Sequence, residues 1–225
     1  VGEPSMMKVG TGHKGGIGYK MHFRGFEGHS SLAPTGVSAI MMAAKLIDWA
    51  NEVNAENAAK TPGPLATDFV PPYTTLHVGT IQGGTAHNIT AKDCYFGFDF
   101  RIVPGEAVAD WQARFMAKVA ELEAEMKAVR PEAGISAEQY FSVPGLCPEE
   151  DGAAEALVRK LTGENASNVV SYGTEAGQFQ ERGYSAVICG PGDIAQAHQP
   201  NEFVSVDQFK QGEAFMRNLV NTLAA

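Results

Sequence analysis

Residues 94–102 read Cys94-Tyr95-Phe96-Gly97-Phe98-Asp99-Phe100-Arg101-Ile102. Every second side chain is apolar, and the positions between carry Tyr95, Gly97, Asp99 and Arg101. A period of two is that of a β-strand with one buried face. Upstream, Ile17, Tyr19, Met21 and Phe23 alternate in the same way with Gly18, Lys20, His22 and Arg24. A third strand is expected from about Thr74 to Ile81, closed by the turn Gly83-Gly84-Thr85. Between the first two of these strands in chain order lies a helix from about Thr35, with Val37, Ile40, Met41, Ala44 and Ile47 spaced along one face. Downstream of Pro104-Gly105 a longer helix repeats Val108, Trp111, Phe115, Val119, Leu122, Met126 and Val129, and Pro131 stops it. A last strand runs from about Ile135 to Phe141. The order is β-α-β-β-α-β, a ferredoxin-like sheet with two helices on one face. The other face is polar and includes His22 and Arg101. A sheet edge or the helix layer is left free to pair with a second copy.

The flanks read differently. Gly12-His13-Lys14-Gly15-Gly16 is expected as a glycine-rich turn. From Val143 onward, Ala153 to Leu161 is a helix, and Asn168 to Tyr172 and Ala186 to Cys189 are short apolar runs of the kind buried on both faces of a sheet. Gly173-Thr174-Glu175-Ala176-Gly177 leads into a short helix. Ser205 and Gln208 form a capping-box pair before a last helix striped by Phe209, Met216, Leu219, Val220 and Leu223. This block reads as the tail of an α/β domain whose earlier strands are absent. The opening Val1-Gly2-Glu3-Pro4-Ser5 likewise reads as a strand end cut from something longer.

The chain has 225 residues, of which 44% are hydrophobic, enough to bury a core. Lys plus Arg number 17 against 26 Asp plus Glu, a formal charge of -9. That balance argues against nucleic acid as a partner, since phosphate backbones require clustered cations. No run approaches the roughly 18 apolar residues of a membrane helix. Cys94, Cys147 and Cys189 are odd in number and widely spaced, which argues against a disulfide framework and fits a reducing compartment.

Six histidines, His13, His22, His29, His77, His87 and His198, show no paired metal-ligand spacing. His198 is the best placed, in a loop after an apolar run and a Gly-Pro-Gly turn, where α/β sheets bind ligands. Glu3 follows the apparent strand end. His29 sits in Gly28-His29-Ser30-Ser31 before a helix. Arg101 offers a planar fork to a carboxylate or an ion pair to a neighbour. Gly83 to Asn88 lacks the Lys-Ser/Thr ending of a phosphate loop.

Taken in order, Gly2-Glu3-Pro4-Ser5, Gly10-Thr11-Gly12-His13-Lys14-Gly15, Gly25-Phe26-Glu27-Gly28-His29-Ser30-Ser31, Gly36-Val37-Ser38-Ala39, Gly83-Gly84-Thr85-Ala86-His87-Asn88, Phe98-Asp99-Phe100-Arg101, Tyr172-Gly173-Thr174-Glu175-Ala176, Cys189-Gly190-Pro191-Gly192 and His198-Gln199-Pro200-Asn201-Glu202 resemble the M20 metallopeptidase family across nearly the whole chain. The resemblance implies an α/β catalytic domain interrupted by a ferredoxin-like lid that makes a homodimer. Residues 1–11 and 143–225 would be catalytic-domain segments and residues 12–142 the lid. It implies hydrolysis of a small N-acyl amino acid, with N2-acetyl-L-ornithine nearest, and a cytoplasmic enzyme holding two divalent ions, zinc or cobalt. N-succinyl-diaminopimelate or dipeptides are the alternative substrates, and a non-catalytic dimerisation module is the alternative of another class. Glu3 and His198 would be metal ligands. His29 would reach the partner's site. Asn88, Arg101, Lys14, Gly173 and Thr174 would contact substrate. The family's His-x-Asp motif, bridging Asp and Glu pair are not in this sequence, so the chain alone is expected to be inactive.

Overall fold

Alternation decides the four-stranded sheet. The computed structural model describes residues 1–166 and 168–224. Strands β2 (Gly15–Arg24), β3 (Thr75–Gly83), β4 (Asp93–Ile102) and β5 (Gly134–Val143) form one antiparallel sheet in the order β3-β4-β2-β5. Tyr19 pairs with Phe98 and Met21 with Phe96, so the apolar faces of β2 and β4 coincide. Helices α1 (Ala39–Ala59) and α2 (Val108–Val129) cover that face. The core is aromatic. The Phe115 ring lies 4.6 Å from Tyr19, 4.9 Å from Phe98 and 5.4 Å from Phe100, centroid to centroid. This is the ferredoxin-like arrangement that the sequence order implies.

Helix α1 begins at Ala39, with the Ser38 hydroxyl accepting from Met41 N; the stretch from Ser30 to Thr35 is a separate 3-10 turn. Its buried face also differs from the expected one. Ala39, Met42, Ala43, Leu46, Ala50 and Val53 point into the core, while Ile40, Met41 and Ala44 are exposed and Ile47 is half-buried. Both faces of this helix carry Met, Ala and branched aliphatic side chains, Leu46 and Val53 on the buried one and Ile40 on the exposed one, so helical spacing alone does not choose between them.

The second unit is smaller. Strand β1 (Gly10–His13) pairs in parallel with β6 (Asn168–Val170). Around them lie α3 (Ala153–Thr162), α4 (Ala176–Glu181) and α5 (Val206–Leu223). Residues 186–189 form no strand; Ile188 makes a single antiparallel bridge to Gly10, with N–O distances of 2.7 and 2.8 Å. The capping pair of α5 is half formed: Ser205 Oγ accepts from Gln208 N, but the Gln208 side chain turns to Gly192 N. The stripe of α5 is open, with Phe209, Met216, Val220 and Leu223 all exposed.

The glycine-rich stretch 12–16 is extended rather than a turn. It carries the chain from β1 into β2, and its crossing point is Lys14, two residues beyond the first expected domain boundary. The return crossing follows β5, where His13 N donates to Leu146 O and Leu146 N to His13 O, both at 3.1 Å. The two strands press together so closely that a Cβ on Gly15 would stand 2.8 Å from Gly145 N.

Truncating the ring at the centre of this aromatic core, Phe115→Ala, is expected to lower stability by about 3–5 kcal/mol. Urea unfolding followed by circular dichroism measures it.

Candidate functional site

Of the sequence candidates, Glu3, Arg101, Gly173 and Thr174 line one cavity of about 360 Å³ together with Gly16, Glu175 and Gln178. It lies where the four-stranded sheet meets the turn before α4. Gly16 is the cross-strand partner of both Arg101 and Val143, and the Phe141 ring lies over it, 3.1 Å from where a Cβ would stand. Arg101 Nε donates to Asp99 Oδ2 at 2.8 Å, which holds the guanidinium along the strand. A guanidinium carries five donors, so a second acceptor can be taken at its terminal nitrogens.

The opposite wall is built by local hydrogen bonds. Thr174 is buried, and its Oγ1 accepts from Ala176 N at 3.0 Å, tightening the entry to α4. Glu3 is carried on a segment that runs along residues 190–192: Ser5 N and Met7 N donate to Gly190 O, and Met6 N to Gly192 O. Tyr172 Oη donates to Pro4 O at 2.7 Å and ties that segment to the end of β6. Burial, and then the carboxylates of Glu3 and Asp193, push the Tyr172 phenol up to about 12, so it stays a donor. The cavity is therefore lined by one guanidinium, the carboxylates of Glu3 and Glu175, the Gln178 amide and the apolar side chains of Phe141 and Val143. Such a lining suits a small molecule with both an anionic and a cationic or amide end.

The other candidates stand elsewhere. His29 and Asn88 share a loop cluster: Ser30 N donates to Asn88 O at 2.9 Å, and His29 bridges to Ile89. Ser31 N and its hydroxyl both meet His29 Nδ1, at 3.2 and 2.7 Å, which fixes Nδ1 as acceptor and leaves Nε2–H pointing outward as a donor. His198 is exposed in the loop after Gly192, with φ of 60° and its backbone N on Glu202 Oε2 at 3.0 Å. Among the described residues no three His, Cys, Asp or Glu side chains converge as a metal-binding group. Glu3 and His198 are a carboxylate and an imidazole, suitable donors in kind, but a catalytic metal site takes at least three protein ligands. The chain's described residues do not make that set by themselves.

Lys14 does not line the cavity. It is 1% exposed, and its Nζ donates to Pro71 O at 2.7 Å and Tyr73 O at 3.0 Å. The ammonium pins the crossing to the 71–73 loop instead of facing a substrate. Sequence reading missed Glu175, Gln178 and Tyr172 as cavity builders, although Glu175 and Tyr172 lie within a quoted motif; their polar side chains carry no periodic signal. A separate cleft of about 930 Å³ between α5 and residues 186–191 is lined by Phe179, Phe209, Met216 and Leu219. It lacks convergent polar groups and is a packing surface in character.

Burial brings the Lys14 ammonium down to about 8 from 10.5, with the Glu106 carboxylate opposing. Between those pH values the unfolded chain still holds the proton that the folded chain has released. Stability relative to Lys14→Met should therefore rise with pH across that window, by on the order of 1–3 kcal/mol. Denaturant titrations at a series of pH values measure it; a flat or falling difference contradicts the burial of this amine.

The model of the M20 peptidase dimerisation domain family matches residues 11–127. Acetylornithine deacetylase of Myxococcus xanthus is 33% identical over 98% of this chain and 56% of its own length. The acetylornithine deacetylase of Proteus mirabilis is 31% identical over 98% of the chain and 54% of its own. The chain thus spans about half the length of the curated relatives it matches. Among solved structures, aminopeptidase PepT of Bacillus cereus superposes with a TM-score of 0.65 at 18% identity, over 99% of this chain and 56% of that one. The di-peptidase Dug1p of Saccharomyces cerevisiae gives 0.66 at 14% identity, over 96% and 55%. At such identities these two bear on the fold alone.

Proposed function

We propose that this chain, which belongs to the M20 peptidase dimerisation-domain family, is the lid-bearing part of a divalent-metal-dependent amidohydrolase that cleaves N2-acetyl-L-ornithine to ornithine and acetate, a step of arginine biosynthesis. The observation that carries the reading is the cavity that gathers Glu3, Arg101, Gly173 and Thr174 from three separate stretches of sequence. The names and identities of the curated relatives support the substrate. Residues 12–142 are assigned to the lid, and residues 1–11 and 143–225 to the catalytic domain. The crossings at Lys14 and Pro144 to Leu146 lie close to both limits.

In this reading Arg101 takes the substrate α-carboxylate as a fork, with Gly173 and Thr174 as the facing wall. Glu3 and His198 each give a ligand to one of two divalent ions, zinc or cobalt, and the rest of the ligand set and the general base come from the half of the relatives' length outside this chain. Those ions, when bound, supply the activated water of amide hydrolysis. The His29 Nε2–H donor stabilises the charge developing on the acyl oxygen, and Asn88 beside it grips a substrate polar group. His29 and Asn88 do not line the cavity of their own chain, which supports a role in the site of a second copy. The apolar cleft against α5 is the surface onto which the remaining catalytic half packs. Among the described residues no helix is long and apolar enough to cross a membrane. We assign the enzyme to the cytoplasm by its family, with no membrane or nucleic-acid partner.

The homodimer is assigned to the exposed stripe of α1 and the free edge of β3. Ile40 Cδ1 lies 3.1 Å from where a Cβ on Gly84 would stand, so stripe and strand end form one surface, continued by exposed Met41 and Ile81.

In the enzyme assembled over the full length of its relatives, His29→Ala should lower kcat by roughly 10²–10³-fold with metal content unchanged. Assays on N2-acetyl-L-ornithine, N-succinyl-diaminopimelate and dipeptides should show the first as the preferred substrate. Full metal content with wild-type turnover removes His29 from the site, and preference for either other substrate moves the enzyme to a sibling activity. Met41→Glu is expected to shift the sedimentation coefficient from dimer to monomer and to lower turnover with it. A variant that remains dimeric places the interface elsewhere.

A further inference from the structure

His13 is fully buried, lies outside the cavity, and has no part in the chemistry proposed above. It closes β1 at the point where the chain leaves the small sheet, and its backbone is paired with Leu146 in the return crossing. Its ring makes two hydrogen bonds of opposite sense. Nδ1 lies 2.8 Å from Lys14 O, and a carbonyl only accepts, so Nδ1 carries the proton. Nε2 receives the Gly177 amide at 3.2 Å, so Nε2 presents a lone pair. Both contacts are satisfied only by the neutral Nδ1–H ring. Burial pushes the imidazole pKa down, against the opposing pull of the Lys14 carbonyl and the Glu175 carboxylate.

The partner amide has a reason to need this bond. The first amides of a helix have no partner within it. In α4 the cap residue Glu175 makes no side-chain cap, and the two leading amides are met instead by Thr174 Oγ1 and by His13. Gly177 cannot be replaced without displacement, because a Cβ there would stand 2.3 Å from Pro144 O. The first turn of α4 is thus fastened to both crossings, and residues 173–175 ahead of it form one wall of the cavity whose other wall carries Arg101.

We propose that His13 is a positioning residue that locks the Gly173 to Glu175 wall to the crossing of the two sheets, and so sets its spacing from Arg101. This rests on the amidohydrolase reading of the cavity. On the 225-residue chain, long-range ¹H–¹⁵N NMR is expected to show the His13 ring as Nδ1–H at neutral pH; an Nε2–H or doubly protonated ring overturns the proposal whatever the variants do. In His13→Leu the Gly177 amide should exchange about tenfold faster, with exchange at Phe98 in the lid core unchanged. His13→Gln, whose Oε1 can accept from Gly177, should recover most of the protection. Affinity for N2-acetyl-L-ornithine, read from shift changes at Thr174, should fall about tenfold in His13→Leu and return in His13→Gln. Unchanged Gly177 exchange or unchanged affinity in folded His13→Leu overturns the positioning role. A wild-type chain with the expected tautomer and a protected Gly177 amide, but no response to the acetylated amino acid, upholds the anchor and counts against the amidohydrolase reading.

Discussion

Two extended strands cross between the sheets with no room for a side chain between them. His13 and Leu146 exchange both backbone hydrogen bonds; a Cβ on Gly15 or Gly177 would collide with the opposite backbone, and one on Gly145 would stand 3.1 Å from His13 O. The four-stranded sheet leaves this junction as β2 and returns to it after β5, and α4 is seated on it. A pair of crossing strands is a soft connection in isolation, since each residue keeps two rotatable backbone angles. Here it is stiffened by flanking side chains: His13 reaches to one side, to α4, and Lys14 to the other, to the 71–73 loop.

The cavity inherits its chemistry from that arrangement. Arg101 belongs to β4, Thr174 and Glu175 to the turn before α4, and Glu3 to the segment bound along residues 190–192. None of these stretches is a neighbour of another in sequence: β4 and the Glu3 segment are held by backbone pairing, the turn by the side chains of Thr174 and His13. The aromatic core of the four-stranded sheet is closed, with Phe98, Phe100 and Phe115 fully buried. The apolar surfaces of α1 and α5 are open, and they differ in kind: one is a stripe beside a free strand edge, the other a cleft. Apolar area of that extent on a folded chain marks surfaces that meet other polypeptide.

How much of this was legible depended on period. The alternation at 17–23 and 94–102 set the strands and their inner face, and the long run from Val108 to Met126 set α2, because in each case only one face is apolar. Spacing leaves the α1 face open because Ile40, Met41 and Ala44 make as good a stripe as Met42, Ala43 and Leu46; the choice belongs to the sheet beneath, not to the helix. The stretch 12–16 looked like a turn because glycine serves both turns and close backbone approach, and composition does not separate the two. Arg101, Glu3 and Thr174 were recognisable by motif. Glu175 and His13 also lie in such motifs, but the motifs give neither a role; that of His13 follows from a tertiary hydrogen bond. Lys14 was expected at the substrate and is buried at the crossing instead, an outcome set by the position of the Pro71 and Tyr73 carbonyls.

In the proposed function, the cavity between the four-stranded sheet and the turn before α4 receives the carboxylate end of an N-acyl amino acid. The most direct measurement is a titration of the isotopically labelled chain with N2-acetyl-L-ornithine, following the Arg101 Nε–H resonance and the Gly173 and Gly16 amides. The account predicts saturable shifts of these signals together, abolished for Arg101 Nε when the α-carboxylate is replaced by a carboxamide. No response at Arg101, or a response confined to the α5 cleft, would contradict it.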